Sequence, residues 1–153
     1  MKWRMAKILQ NAWLAACLGA ITCNVLAVER SAEKNYLLRC VGCHGQDGAG
    51  APNQGIPAFP GLLDPLYSND LGRTYLTHVP GVRASSLSAN EIAAVLNHVA
   101  QRWAKAPHEL ERFTAEEVQV RQKVEVPDIV ALRRHLTGYF RARGIELAPY
   151  PWP

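Results

Sequence analysis

The hydrophobic pattern starts with a segment that does not belong to a fold. Lys2, Arg4 and Lys7 precede an apolar run from about Ala12 to Leu26, which closes on Val25-Leu26-Ala27. Basic residues, then an apolar core, then small residues is the order of a secretory signal, so residues 1–27 are expected to be removed after Ala27. An uncleaved anchor helix is the alternative, although the run is short of the roughly 20 residues that a span needs. Leu14-Ala15-Ala16-Cys17 also resembles a lipoprotein processing box, against Cys17 being an ordinary apolar signal residue.

Beyond Ala27 the apolar positions of the clearest segments recur at helical spacing. Ser31 is placed to cap a first helix with Glu33 in its first turn, and Tyr36, Leu37 and Cys40 follow at helical intervals. Residues 45–61 are rich in Gly and Pro and predict a loop whose large apolar groups, Ile56 and Phe59, need a surface to cover. Pro65 predicts a turn within Leu62–Ser68. Asn69 or Asp70 is placed to cap a short helix through Leu71, Tyr75 and Leu76 to about His78, ended by Pro80-Gly81. Ser88 and Glu91 form a capping box before the stripe Ile92, Val95, Leu96, Val99 and Trp103.

The pattern continues past Pro107. Thr114 and Glu117 predict a second capping box, and Val118 and Gln122 follow in a weakly apolar segment. A last helix from Asp128 shows Ile129, Leu132, Leu136, Tyr139 and Phe140 on one face, with Arg133, Arg134, Arg141 and Arg143 largely off it and Gly144 as its stop. Such a stripe packs on its own domain, docks on a partner or lies on a membrane surface. The tail Pro149–Pro153 is expected to be extended. The fold class is all-α, divided into a leader at 1–27, a helical domain at 28–106 and a helical C-terminal extension at 107–153.

Cys40-Val41-Gly42-Cys43-His44 carries the chemistry. Cys-x-x-Cys-His is an attachment pattern for c-type haem: two sulfurs about one helical turn apart reach the two vinyl groups, and the next residue offers an imidazole to the iron. A thioredoxin-like dithiol would sit in a βαβ setting, and zinc would need a second Cys/His pair at close spacing; neither is visible. Structural cysteines remain as a further alternative. Without the leader, Cys40 and Cys43 are the remaining cysteines, so the haem reading leaves none for a structural disulfide.

Cys-x-x-Cys-His-Gly, followed by Asp47-Gly48-x-Gly50 and Pro57-x-Phe59-x-Gly61, resembles a class I, single-haem bacterial c-type cytochrome over residues 31–104. The resemblance implies a cytochrome c-like helical domain, one covalent haem c through Cys40 and Cys43, and His44 as proximal ligand. It also implies a Pro57 carbonyl that accepts from the imidazole, with an ordinary turn residue as the alternative. By the same analogy the protein is an electron carrier in the periplasm, not an enzyme, passing electrons from a dehydrogenase to an oxidase or another cytochrome. A haem sensor or enzyme, or a non-redox subunit of a complex, are the other classes.

One departure from the family matters. Its usual axial methionine would fall near Val82–Ser86, and the chain's two methionines, Met1 and Met5, lie in the leader. His78, just before that slot, is the expected distal ligand, with an open iron as the alternative. His98 is expected to pack, and His108 and His135 belong to the extension. Arg83 is read either as a partner of a haem propionate or as a solvated surface residue.

Charge alters little. Of 17 Lys and Arg against 13 Asp and Glu, the leader takes three bases and no acid, leaving 14 against 13. That balance offers nothing to nucleic acid or to a broadly anionic partner.

Overall fold

The computed structural model describes residues 29–152. The expected leader and its cleavage point lie outside them. The described residues are helical, with one isolated bridge pairing Ala51 and Ile56, so the all-α expectation holds. No helix among them is long and apolar enough to cross a membrane.

The helices are α1 (Ala32–Arg39), α2 (Val41–His44), α3 (Asp64–Tyr67), α4 (Asp70–His78), α5 (Pro80–Arg83), α6 (Ala89–Trp103), α7 (Ala115–Gln122) and α8 (Ile129–Arg141). Caps start most of the long ones where the sequence places them. Ser31 accepts from Lys34 N, Asn69 from Gly72 N, and Ser88 with Glu91 completes a reciprocal capping box. Thr114 caps α7, but the Glu117 side chain does not close the expected box. It turns instead to Arg73 and Arg121.

The expected turn at Pro65 is helical, while α4 ends at His78, just before Pro80-Gly81, as expected. Pro65 lies in the first turn of α3 and Pro80 at the start of α5. A proline there forfeits no intrahelical bond, because those N–H groups have no partner within the helix. The chain does bend before α5, since Val79 is extended at φ −56° and ψ 141°.

The core forms where α1 and α7 both pack on α6. Tyr36 of α1, Leu96, Val99 and Trp103 of α6, and Phe113 and Val118 of the extension belong to one buried cluster. A second cluster joins Leu66 and Tyr75 to Leu136, Phe140 and Leu147. Thus α8 buries its stripe against its own chain, the first of its three expected readings. Arg73 ties the extension to α4: its guanidinium makes two 2.6 Å bonds to the Glu117 carboxylate, reaches the carbonyls of Tyr67 and Glu111, and lies 3.9 Å from the Phe113 ring centroid.

Candidate functional site

Cys40 is the hinge between α1 and α2. Its carbonyl accepts from Cys43 N at 3.1 Å and from His44 N at 2.9 Å, so residues 40–44 wind into a single turn. Both cysteines are free thiols: Cys40 is half-buried and Cys43 exposed. Burial, then the neighbouring Cys43, pushes the Cys40 thiol up. Tyr36, one turn earlier, anchors the motif by donating its hydroxyl to Gly45 O at 2.6 Å. Burial first, and Cys40 next, raises that phenol to about 12, so it remains protonated and can donate. Tyr36 is the packing residue that its helical position predicts, 3% exposed.

The loop after His44 folds back on the motif. Gly50 N donates to His44 O at 2.9 Å, Phe59 N to Gly48 O at 2.8 Å, and Gly61 N to Trp103 O at 2.9 Å. Glycine is required at the closest approach. A Cβ on Gly50, at φ +63°, would lie 2.6 Å from the carbonyl oxygens of both Ile56 and Pro57. A Cβ on Gly48 would lie 2.8 Å from the Trp103 indole.

This path brings the Pro57 carbonyl 3.3 Å from His44 Nδ1. A carbonyl only accepts, so Nδ1 carries the proton and the lone pair is left on Nε2. Burial lowers the His44 pKa and outweighs the opposing pull of the Pro57 carbonyl, which keeps the ring neutral. Phe59 stacks on it, with centroids 4.1 Å apart and planes 20° from parallel, and Trp103 lies 5.5 Å beyond Phe59. The large group of the loop therefore covers the imidazole.

Leu76, Val82 and Leu87 pack against the main core together with Cys40 and Phe59. The slot at 82–86 is tied by its own bonds: Ser85 Oγ donates to Val82 O at 2.7 Å and accepts from Leu87 N at 3.3 Å. His78 is not free to serve this slot as arranged. Its Nδ1 faces Thr74 O at 2.9 Å and its Nε2 faces Val124 O at 3.0 Å. The Thr77 hydroxyl also lies 3.2 Å from Nδ1, so both ring nitrogens are engaged by the chain. The extension, whose reach over α4 has no signature in residues 69–86, holds the ring in this arrangement.

The remaining candidates are dispersed. His98 packs with Tyr36 and Trp103, with centroids at 6.0 and 6.5 Å. His108 and His135 belong to the extension, His135 on α8. Arg83 is exposed, the surface reading of the two expected, and donates to Gln122 O at 3.1 Å. Among the described residues, no group of three His, Cys, Asp or Glu is placed to hold a metal ion, so the thiols have no zinc-site companions there. The Arg73–Glu117–Arg121 network escaped the sequence pattern because its members sit on helices far apart in the chain.

Two thiols on one helical turn, next to a neutral imidazole with Nε2 unengaged, form the donor set that a covalent haem takes, and the helices that surround it among the described residues are the setting of a c-type cytochrome. The chain is 34% identical over 134 residues to a cytochrome c-552 of Thermus thermophilus, covering 74% of this chain and 90% of that one. It is 36% identical over 121 residues to another cytochrome c-552 of the same species, covering 65% of this chain and 92% of that one. It belongs to the class I monohaem c-type cytochromes, electron-transfer proteins that carry haem c. No protein-family profile and no solved structure matches it.

Proposed function

We propose that this cytochrome is exported to the periplasm and relays single electrons from a periplasmic dehydrogenase to an oxidase or another cytochrome. Haem c, when bound, supplies an iron that alternates between the ferrous and ferric states. The chain's own residues hold and tune it. Cys40 and Cys43 are the thioether anchors, and His44 offers Nε2 as proximal ligand. The Pro57 carbonyl fixes the His44 tautomer and makes its ring a stronger donor. Phe59 and Trp103 shield the imidazole from water. The observation that carries this reading is the His44–Pro57 contact, which leaves one lone pair beside two thiols.

A second reading, a haem sensor or enzyme with an open sixth coordination site, draws support from the engagement of both His78 nitrogens with carbonyls. Two measurements test the proposal. The intact mass of the natively produced protein is expected to show one haem added to a polypeptide cut after Ala27; bare polypeptide would end both readings. Stopped-flow mixing of the ferrous protein with a second, oxidised cytochrome is expected to give rapid second-order exchange. Slow exchange together with fast carbon monoxide binding would replace the carrier with the sensor.

A further inference from the structure

The near-neutral charge of the chain conceals a division inside the C-terminal extension. Residues 107–128 hold six acids against three bases, whereas residues 129–152 hold four arginines against one acid, Glu146. Arg133 turns inward and is buried, while Arg134, Arg141 and Arg143 are exposed. None of the ion pairs among the described residues involves these three. The acidic part spends its charge on the fold, through Glu117. The basic part presents its charge to the outside.

Two of these cations lie on aromatic rings that are themselves exposed. The Arg143 guanidinium stands 3.7 Å from the Tyr139 ring centroid, held there by its bond to Tyr139 O at 2.9 Å. Arg134 lies 5.3 Å from the Trp152 ring. Tyr139 and Trp152 are 38% and 37% exposed, large apolar groups that the core leaves uncovered. Between the two pairs, Arg134, His135, Gly138 and Tyr139 line a shallow depression of about 500 Å³. A Cβ on Gly138 would meet nothing, so this side of α8 is open. By helical period it lies opposite the side on which Leu136 and Phe140 enter the second core cluster.

A cation resting on a flat amphipathic ring suits a boundary where phosphates lie above an apolar layer: guanidinium groups bind phosphate, and Trp and Tyr settle at headgroup level. We propose that the outward face of α8, with the Trp152 segment beside it, is a docking surface for an anionic phospholipid membrane. Arg134 and Arg143 meet lipid phosphates, and the Tyr139 and Trp152 rings enter the layer beneath them. The surface needs no haem. Its use, keeping an exported carrier in the plane of the membrane, rests on the export proposed above, and cleavage after Ala27 is read separately, by mass.

The test is flotation of the haem-loaded, processed protein with vesicles. Wild type is expected to float with phosphatidylglycerol vesicles at low salt, to be released as salt rises, and to stay in solution with phosphatidylcholine. Removing an arginine should weaken binding about fivefold, so Arg134→Gln/Arg143→Gln falls by the product of two such steps. Lys34→Gln/Arg39→Gln, an equal loss of charge from exposed positions on α1, should bind as wild type does. Trp152→Ala should bind more weakly at every salt concentration, because it removes the apolar contact and no charge. Wild type that stays in solution with phosphatidylglycerol overturns the proposal, and self-association in that sample would give the face to a second copy of the chain. Equal losses in the two double variants, or full binding by Trp152→Ala, overturn it as well, since each would reduce the interaction to net charge.

Discussion

His44 and His78 each close a helix, and each places Nδ1 against a backbone carbonyl, yet the two regions leave their rings in opposite condition. At His44 the loop supplies one carbonyl, from Pro57, and the second nitrogen stays open. At His78 the helix supplies Thr74 O and the extension supplies Val124 O. One imidazole keeps a nitrogen clear of the chain, and the other has both engaged. The regions also differ in how they are built. Around His44 the chain relies on glycine and backbone bonds, whereas around His78 it relies on charges, with Arg73, Glu117, Arg121 and Asp70 joining α4 to α7.

The largest effect is expected where the lone pair is open. His44→Ala should abolish the haem-bearing product, read as loss of the ferrous absorption bands and of the haem mass, because nothing else beside the thiols offers the iron a nitrogen. Next comes the charged region. Glu117→Gln leaves the largely buried Arg73 guanidinium without its carboxylate and should cost about 3 kcal/mol in urea unfolding. Acid gives the sign of the same interaction. Burial alone would raise the Glu117 pKa, but its bonds to Arg73 and Arg121 outweigh that and hold it below the ordinary glutamate value. Its contribution is therefore complete above that ordinary value and is lost as pH falls through the lowered one. The wild type should lose stability more steeply than Glu117→Gln across that acid window, and parallel curves would refute the assignment.

The glycine-built region should respond to a single methyl group. Gly50→Ala forces a side chain into the left-handed region and against the Pro57 carbonyl, at a cost of about 2 kcal/mol. Because that carbonyl orients His44, the substitution should also shift the midpoint potential of the holoprotein, whereas Glu117→Gln, remote from Pro57, should not. Equal shifts in the two variants would erase the distinction between the regions.

Much of this arrangement is legible in the sequence because it is local. Ser31, Asn69 and Ser88 cap the helices they precede, and Cys40, Cys43 and His44 fall on one turn by spacing alone. Pro57 was legible only through family resemblance, since its approach to His44 depends on the fold of a 12-residue loop between them. What resists reading is contact between distant segments. No spacing rule links Glu117 to Arg73 or Val124 to His78. Arg133 is an intermediate case. It lies four residues after Ile129, three before Leu136 and seven before Phe140, inside the apolar stripe by helical period. Its charge assigned it to the polar face, while Tyr139, chosen for the apolar face, is 38% exposed.

The smallest effect is the most direct test of the comparison. His78→Ala removes the bond to Val124 O and the one to Thr74 O, both partly open to water, so a loss of about 1 kcal/mol is expected. The groove lined by His78, Arg83 and residues 122–127 should loosen, read as faster hydrogen exchange at 122–127. The ferric EPR spectrum should not change, because both ring nitrogens are already engaged by the chain. Conversion of a low-spin wild-type signal to high spin on this substitution would show that His78 abandons Val124 for the metal once haem is bound. The two histidines would then be a matched axial pair, and their difference here would be a property of the chain before it takes up its cofactor.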